Sequence, residues 1–223
     1  MDTEYRMHPD ISDFISEQFY KGKLKSGCSA ENRRPPGGAA AMSFVEVDEA
    51  REEQGLKGAS YHSGPEVRCI TKRLASILAE GSVNQTDVGV ISAYSGQVQL
   101  LKKAVEERFP DVEVKSVDGF QGREKEVILL STVRTKQLGF LRDWRRLNVA
   151  VSRARRQVVV FGYSKVLAKD THWASLLRRL GVIANKKAKA PKKKARKVKK
   201  ASLQQPALNA PGQSKPKKAA SGQ

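Results

Sequence analysis

Four short stretches hold most of the side chains able to do chemistry on a polar ligand: EYRMHP at 4–9, SAYSGQ at 92–97, SVDGFQGREKE at 116–126 and RRLNVAVSRAR at 145–155. Guanidinium groups recur among them, and their planar donor fork matches phosphate oxygens, yet no G-x-x-x-x-G-K-[ST] loop occurs in the chain. In SVDGFQGREKE, Gly119 and Gly122 let the backbone turn tightly and approach a ligand, while Glu124 can accept hydrogen bonds from ribose hydroxyls. At helical spacing Arg146, Asn148, Ser152 and Arg153 share a polar edge, and an arginine held there can stabilise charge on a phosphoryl group in transfer. Tyr5 offers a stacking ring and Arg6 a second guanidinium, whereas His8 reads as structural because no metal partner or nucleophile accompanies it. Taken singly, the glycine-bearing stretch also fits a solvated strand connection and the arginine run a surface salt-bridge face.

The elements that must position these groups alternate. Apolar residues at helical spacing predict helices over 10–20, 66–80 (Val67, Ile70, Leu74, Ile77, Leu78), 96–109, 143–154 and 171–180. Strands are predicted at 42–47, 88–93, 112–117, 127–133 and 157–162, with a loop over 25–41 through Pro35, Pro36, Gly37 and Gly38. Strands alternating with helices imply an α/β fold, a parallel sheet covered on both faces, with the polar clusters outside the carboxyl ends of its strands. FVEVDEA at 44–50 superficially offers a magnesium-holding pair in Asp48 and Glu49, but Glu46 inside the run suits a half-exposed edge strand instead.

Of the formal charge of +19, residues 185–223 carry +13 with no acid, leaving the rest only mildly basic. That Lys/Ala/Pro-rich segment is expected to be a disordered tail appended to a domain over 1–184. It reads as a counterion-releasing arm on nucleic acid, an import address that favours the nucleus over the cytoplasm, or a solubilising appendage. Cys28 and Cys69 form no C-x-x-C pair, and no apolar run approaches a membrane span, so a reducing compartment and no membrane partner are expected. The chain enters its first polar cluster at once with no leading strand, as a piece of something longer would.

In this order, YRMHP, SAYSGQ, SVDGFQGREKE and NVAVSRAR resemble the second RecA-like domain of superfamily 1 helicases of the nonsense-decay and immunoglobulin-mu-binding-protein type, over roughly Glu4 to Phe161. The resemblance implies ATP bound between two RecA-like domains, with the phosphate loop and the Mg2+-binding acids on a first domain that this chain lacks. It implies that Arg6 and Arg153 reach the γ-phosphate, that Glu124 meets the nucleotide sugar, that Gly122 permits close approach and that Tyr5 packs at the nucleotide edge. Ser92, Tyr94, Ser116 and Asp118 fall where that family touches single-stranded DNA or RNA, translocating 5′ to 3′. Glu4 stands where the family commonly has Gln, Ala93 where it has Pro, and Ser63 where it often has Asn. The competing reading is a non-enzymatic nucleic-acid or chromatin-binding protein that works through its basic tail.

Overall fold

Short turns divide the chain into nine strands and six α-helices among the described residues, 3–49, 51–55 and 60–184 of the computed structural model. In order they are β1 (Thr3–Glu4), α1 (Pro9–Phe19), β2 (Lys25–Ser26), β3 (Met42–Glu46), β4 (Glu53–Gln54), β5 (Tyr61–His62), α2 (Gly64–Ala79) and β6 (Val88–Ser92). There follow α3 (Ser95–Glu106), β7 (Glu113–Ser116), β8 (Lys125–Ser131), α4 (Trp144–Val151), β9 (Ala154–Gly162), α5 (Ser164–Leu167) and α6 (Thr171–Arg179). The tail expected over 185–223 lies outside the described residues.

The main sheet has the order β3-β9-β8-β6-β7, and every neighbouring pair is parallel. Because side chains alternate across a strand, each central strand feeds two cores. Ile128, Leu130, Val158 and Val160 pack with residues of α1, α4 and α6, while Val127, Leu129, Val159 and Phe161 pack with those of α2 and α3. This is the RecA-like α/β architecture, helices on both sides of a five-stranded parallel sheet. No helix among the described residues is long and apolar enough to cross a membrane.

Local chemistry explains the boundaries. Pro9 opens α1 behind His8, whose Nδ1 accepts the Asp10 N–H at 3.1 Å, and Gly22, at φ +73°, closes it by donating to the Ser16 carbonyl at 2.9 Å. β3 is an edge strand, as Glu46 suggested, and that carboxylate accepts the Ser164 N–H at 3.0 Å. Three expectations need correction. Thr3–Glu4 does form a leading strand, two residues paired in parallel with Lys25–Ser26 inside the expected loop. Helix α4 stops at Val151, and β9 begins at Ala154, so Arg155 and Arg156 belong to a strand. The arginine cluster, in turn, stands at the amino ends of β8 and β9 and not at the carboxyl ends.

The link from β7 to β8 must pass over β6 from one end of the sheet to the other. Residues 117–124 do this without an α-helix, since eight extended residues reach roughly 26 Å while a five-residue strand spans roughly 17 Å. Phe120 anchors the passage, fully buried over Gly89. A Cβ on Gly89 would lie 2.5 Å from Phe120 Cζ and 3.0 Å from Ile128 Cδ1, so the glycine is what lets the segment sit down on the sheet. Gly89→Ala should therefore destabilise the domain by about 1–3 kcal/mol through overpacking. Urea unfolding would show it as a lower midpoint at unchanged slope, and an unchanged midpoint would contradict this packing.

Candidate functional site

Arg6, Glu124 and Arg153 converge although they lie far apart in sequence. The Arg6 guanidinium ion-pairs through Nε with Glu124 Oε2 and donates from Nη1 to the Ser152 carbonyl at 3.4 Å. Glu4 fixes the turn that presents Arg6, its Oε2 accepting the Arg6 and Met7 N–H groups at 2.9 and 3.1 Å. The His8 N–H donates to the Arg155 carbonyl at 2.8 Å, which ties this turn to the start of β9. Arg153 occupies the two-residue turn between α4 and β9, with Nε donating to the Val149 carbonyl at 3.2 Å and Nη1 to the Arg123 carbonyl at 3.3 Å. Partial burial and the nearby Arg6 charge pull the Arg153 pKa down, and Glu124 opposes them. Arg6 thus pairs with the half-exposed Glu124 carboxylate while Arg153, within its electrostatic reach, bonds only backbone carbonyls, so the two guanidiniums retain free donors in an arrangement deficient in negative charge.

Arg155 also reaches Glu124, Nη1 to Oε1 at 3.7 Å, but its main work and that of Arg156 lie elsewhere. Between the pairs Lys125↔Ala154 and Val127↔Gln157, β9 advances three residues while β8 advances two, so an extra residue sits at the two arginines. Such a bulge re-aims side chains that would otherwise point to opposite faces. Both reach Glu126, Arg155 Nε at 3.3 Å and Arg156 Nε at 3.9 Å, and Arg156 Nε also donates to the Arg34 carbonyl at 2.6 Å. They brace the strand entrance.

This cluster lies at the amino ends of β8 and β9, where the sequence had placed it outside carboxyl ends. Gly122 and Glu124 precede β8, and Arg153 precedes β9. Gly122, at φ +79°, has nothing within 4 Å of the position a Cβ would take, so backbone and open space meet beside Glu124. Tyr5 is exposed, its ring lying over Gly27. At the opposite end of the sheet, after β6 and β7, are Ser92, Tyr94, Ser116 and Asp118. Ser92 has no exposed surface and Tyr94 is 2% exposed, with its hydroxyl donating to the Leu138 carbonyl at 3.2 Å, so neither side chain presents itself to a polynucleotide. That expectation is corrected. Asp118 is exposed and accepts from Arg146 Nη2 at 3.4 Å, and Ser116 Oγ accepts the Gly119 N–H at 3.0 Å. Arg146 lies in the first turn of α4 and Arg153 two residues past its last, so the two guanidiniums work near opposite ends of the helix, both toward residues 118–123.

Sequence reasoning missed a buried polar network at the carboxyl end. Ser63-x-x-Glu66 reads as a reciprocal helix cap, but the Ser63 N–H donates to Gln97 Oε1 at 2.7 Å, freeing the Glu66 side chain. Glu66 accepts from Ser131 Oγ at 2.6 Å and from the Val133 N–H at 2.9 Å, and Gln97 Nε2 donates to Ser131 Oγ at 2.9 Å. Val133 has φ +68°, costly for a β-branched residue, and Glu66 holds it there. The chain then turns Arg134 onto Glu52, Nε to Oε2 at 2.9 Å, with the Tyr61 ring 3.9 Å beneath its guanidinium. The Ser63-x-x-Glu66 spacing was the only local signal, but the partners of Glu66, Ser131 and Val133, lie 65 and 67 residues away.

The free guanidinium donors, the Glu124 acceptor and the open backbone at Gly122 fit a nucleoside polyphosphate approaching from outside the domain. Among the described residues no group of three or more His, Cys, Asp or Glu is placed to hold a metal ion.

The AAA domain family matches residues 1–165. Helicase SEN1 of Saccharomyces cerevisiae is 37% identical over 197 residues, 79% of this chain and 9% of the yeast protein. The regulator of nonsense transcripts 1 homolog of Drosophila melanogaster is 36% identical over 193 residues, 79% of this chain and 16% of that protein. The chain thus spans a small part of the length of the curated relatives it matches. Among solved structures, the C-terminal domain of a possible DNA helicase from Lactobacillus plantarum aligns with a TM-score of 0.50 over 79% of this chain and 96% of that one, at 14% identity, a likeness of fold.

Burial pushes the Glu66 carboxyl up from its usual 4.5 to about 7, against the lowering by its hydrogen bonds from Ser131 and Val133. A proton held more tightly in the folded chain stabilises the fold fully below 4.5, and that contribution is lost as pH rises toward 7. Urea midpoints of the wild type, relative to those of Glu66→Gln, should accordingly fall across this interval. Parallel profiles in the two proteins would assign the titration to another group.

Proposed function

The chain belongs to the AAA domain family, as the C-terminal RecA-like domain of a superfamily 1 helicase, and on that premise we propose that it supplies one wall of a shared ATP site and a grip on single-stranded nucleic acid. The convergence of Arg6 and Arg153 on Glu124 carries this reading. The opposite wall is a first RecA-like domain, which contributes the phosphate loop and the carboxylates for magnesium. The magnesium ion, when bound there, neutralises phosphate charge.

Closure of the two domains brings the guanidiniums of Arg6 and Arg153 to the terminal phosphate, where charge develops as the phosphoryl group leaves. For this Arg6 must let go of Glu124. Their pair is 39% and 42% exposed, so breaking it costs at most about 1 kcal/mol, far less than charge-assisted bonds to a polyphosphate return. Glu124, once released, accepts from ribose hydroxyls, and Tyr5 covers the nucleotide edge. After hydrolysis the domains reopen and the grip on the strand at the other end of the sheet shifts, moving the protein 5′ to 3′ along DNA or RNA. The Lys-rich segment over 185–223 adds a salt-sensitive hold on phosphates and directs the protein to the nucleus.

The 223-residue chain alone, given ATP and single strand, should show no turnover. In a protein that joins it to a phosphate-loop domain, Arg153→Ala should lower kcat about a thousandfold with little change in strand binding. Vigorous hydrolysis by the isolated chain, or full activity of the Arg153→Ala protein, would contradict the shared site.

A further inference from the structure

We propose that Phe140 and the Arg146 guanidinium form a stacking platform for one unpaired base of a single strand lying across the carboxyl end of the main sheet. The inference rests on the reading above that this end grips nucleic acid, and it names a residue that does so. Phe140 is 60% exposed, unusual for a large apolar ring on a fixed turn. It lies in the 3-10 turn Gly139–Arg142, closed by the Leu141 N–H to the Leu138 carbonyl at 3.0 Å and the Asp143 N–H to the Phe140 carbonyl at 3.2 Å. Gly139, at φ +53°, is packed down so closely that a Cβ would meet Arg134 Nη1 and the Tyr94 hydroxyl, each at 2.8 Å. The ring is thus presented by a rigid base, at little further cost in entropy when something stacks on it.

Its neighbours define the partner. The Arg146 guanidinium lies 5.2 Å from the Phe140 centroid, and the buried Tyr94 ring lies 5.8 Å away at 39°. Between Arg134 and Arg146 the chain carries five cations and a single acid, Asp143. Arg134 is held by Glu52 and Arg145 lies over the Trp144 ring, while Arg146, against the Phe140 ring, also reaches Asp118 at 3.4 Å; Lys136 and Arg142 are the other cations of the stretch. A flat aromatic face with a guanidinium against it, on a basic stretch of chain, suits a polymer that offers flat rings and phosphates in alternation, and a protein partner would have to supply a matching acidic surface. Burial of Ser92 and Tyr94 gives the same assignment a second support, since those two side chains cannot make the base contact while Phe140 stands over Tyr94. Stacking is tolerant of base identity, so this platform would carry no sequence preference.

The test uses the full chain, fluorescence anisotropy, a short labelled oligothymidylate and an abasic oligomer with the same backbone charge. The wild type should prefer the base-bearing strand. Phe140→Ala should cut that preference about tenfold, Phe140→Trp should keep it, and affinity for the abasic oligomer should stay the same in all three. Since the ring is exposed, circular dichroism should find the variants folded. If the preference survives Phe140→Ala, the platform is overturned and the nucleic-acid reading stands. If the wild type binds both oligomers equally, base contact at this end fails altogether, the platform with it.

Discussion

The parallel pairing of β9 between β3 and β8 is the constraint on which the arginine cluster depends. The strand is fixed on both sides, and its entrance holds both guanidiniums: Arg153 immediately precedes it, and the Arg155 carbonyl receives the His8 N–H that anchors the Arg6 turn. Neither arginine has a covalent reason to be near the other. Their proximity is a product of sheet register, and a slip of one residue would send the strand's alternating side chains to the wrong cores.

Two ends of the sheet are joined by two packed connectors. Residues 117–124 run down over β6, and α4, eight residues and roughly 12 Å long, runs beside them. They are tied together at both ends, by Arg146 to Asp118 at 3.4 Å and by Arg153 to the Arg123 carbonyl at 3.3 Å. Each tie alone is a modest interaction, partly exposed and worth about 1 kcal/mol. Between them lies Phe120 in the core over Gly89, which excludes independent sliding of the segment over the sheet.

Much of this was legible in the sequence because burial writes itself as period. Val67, Ile70, Leu74 and Ile77 mark α2, and the short apolar runs mark β6, β8 and β9. Ends of elements were less legible. NVAVSRARR contains both a helix end and a strand start within three residues, and no glycine or proline punctuates them, so the helix was expected to run on to 154 and the strand to start only at 157. Ser92 and Tyr94 followed a strand end and carried polar groups, yet their hydroxyls are spent inward, on Tyr94 N–H and the Leu138 carbonyl. Local sequence does not record which way a side chain faces after a strand ends. Glu66 was hidden for a related reason, because its partner Val133 is distant in sequence and apolar in type.

The central claim is that the Arg6, Glu124 and Arg153 face completes a triphosphate site on another domain. Its most direct measurement is a crystal structure of this domain joined to a phosphate-loop domain, with ADP, magnesium and aluminium fluoride mimicking the phosphoryl group in transfer. The account predicts both guanidiniums within hydrogen-bonding distance of the fluoride, and Glu124 parted from Arg6 and turned to the ribose. An intact Arg6–Glu124 pair, with Arg153 facing away from the closed cleft, would contradict it.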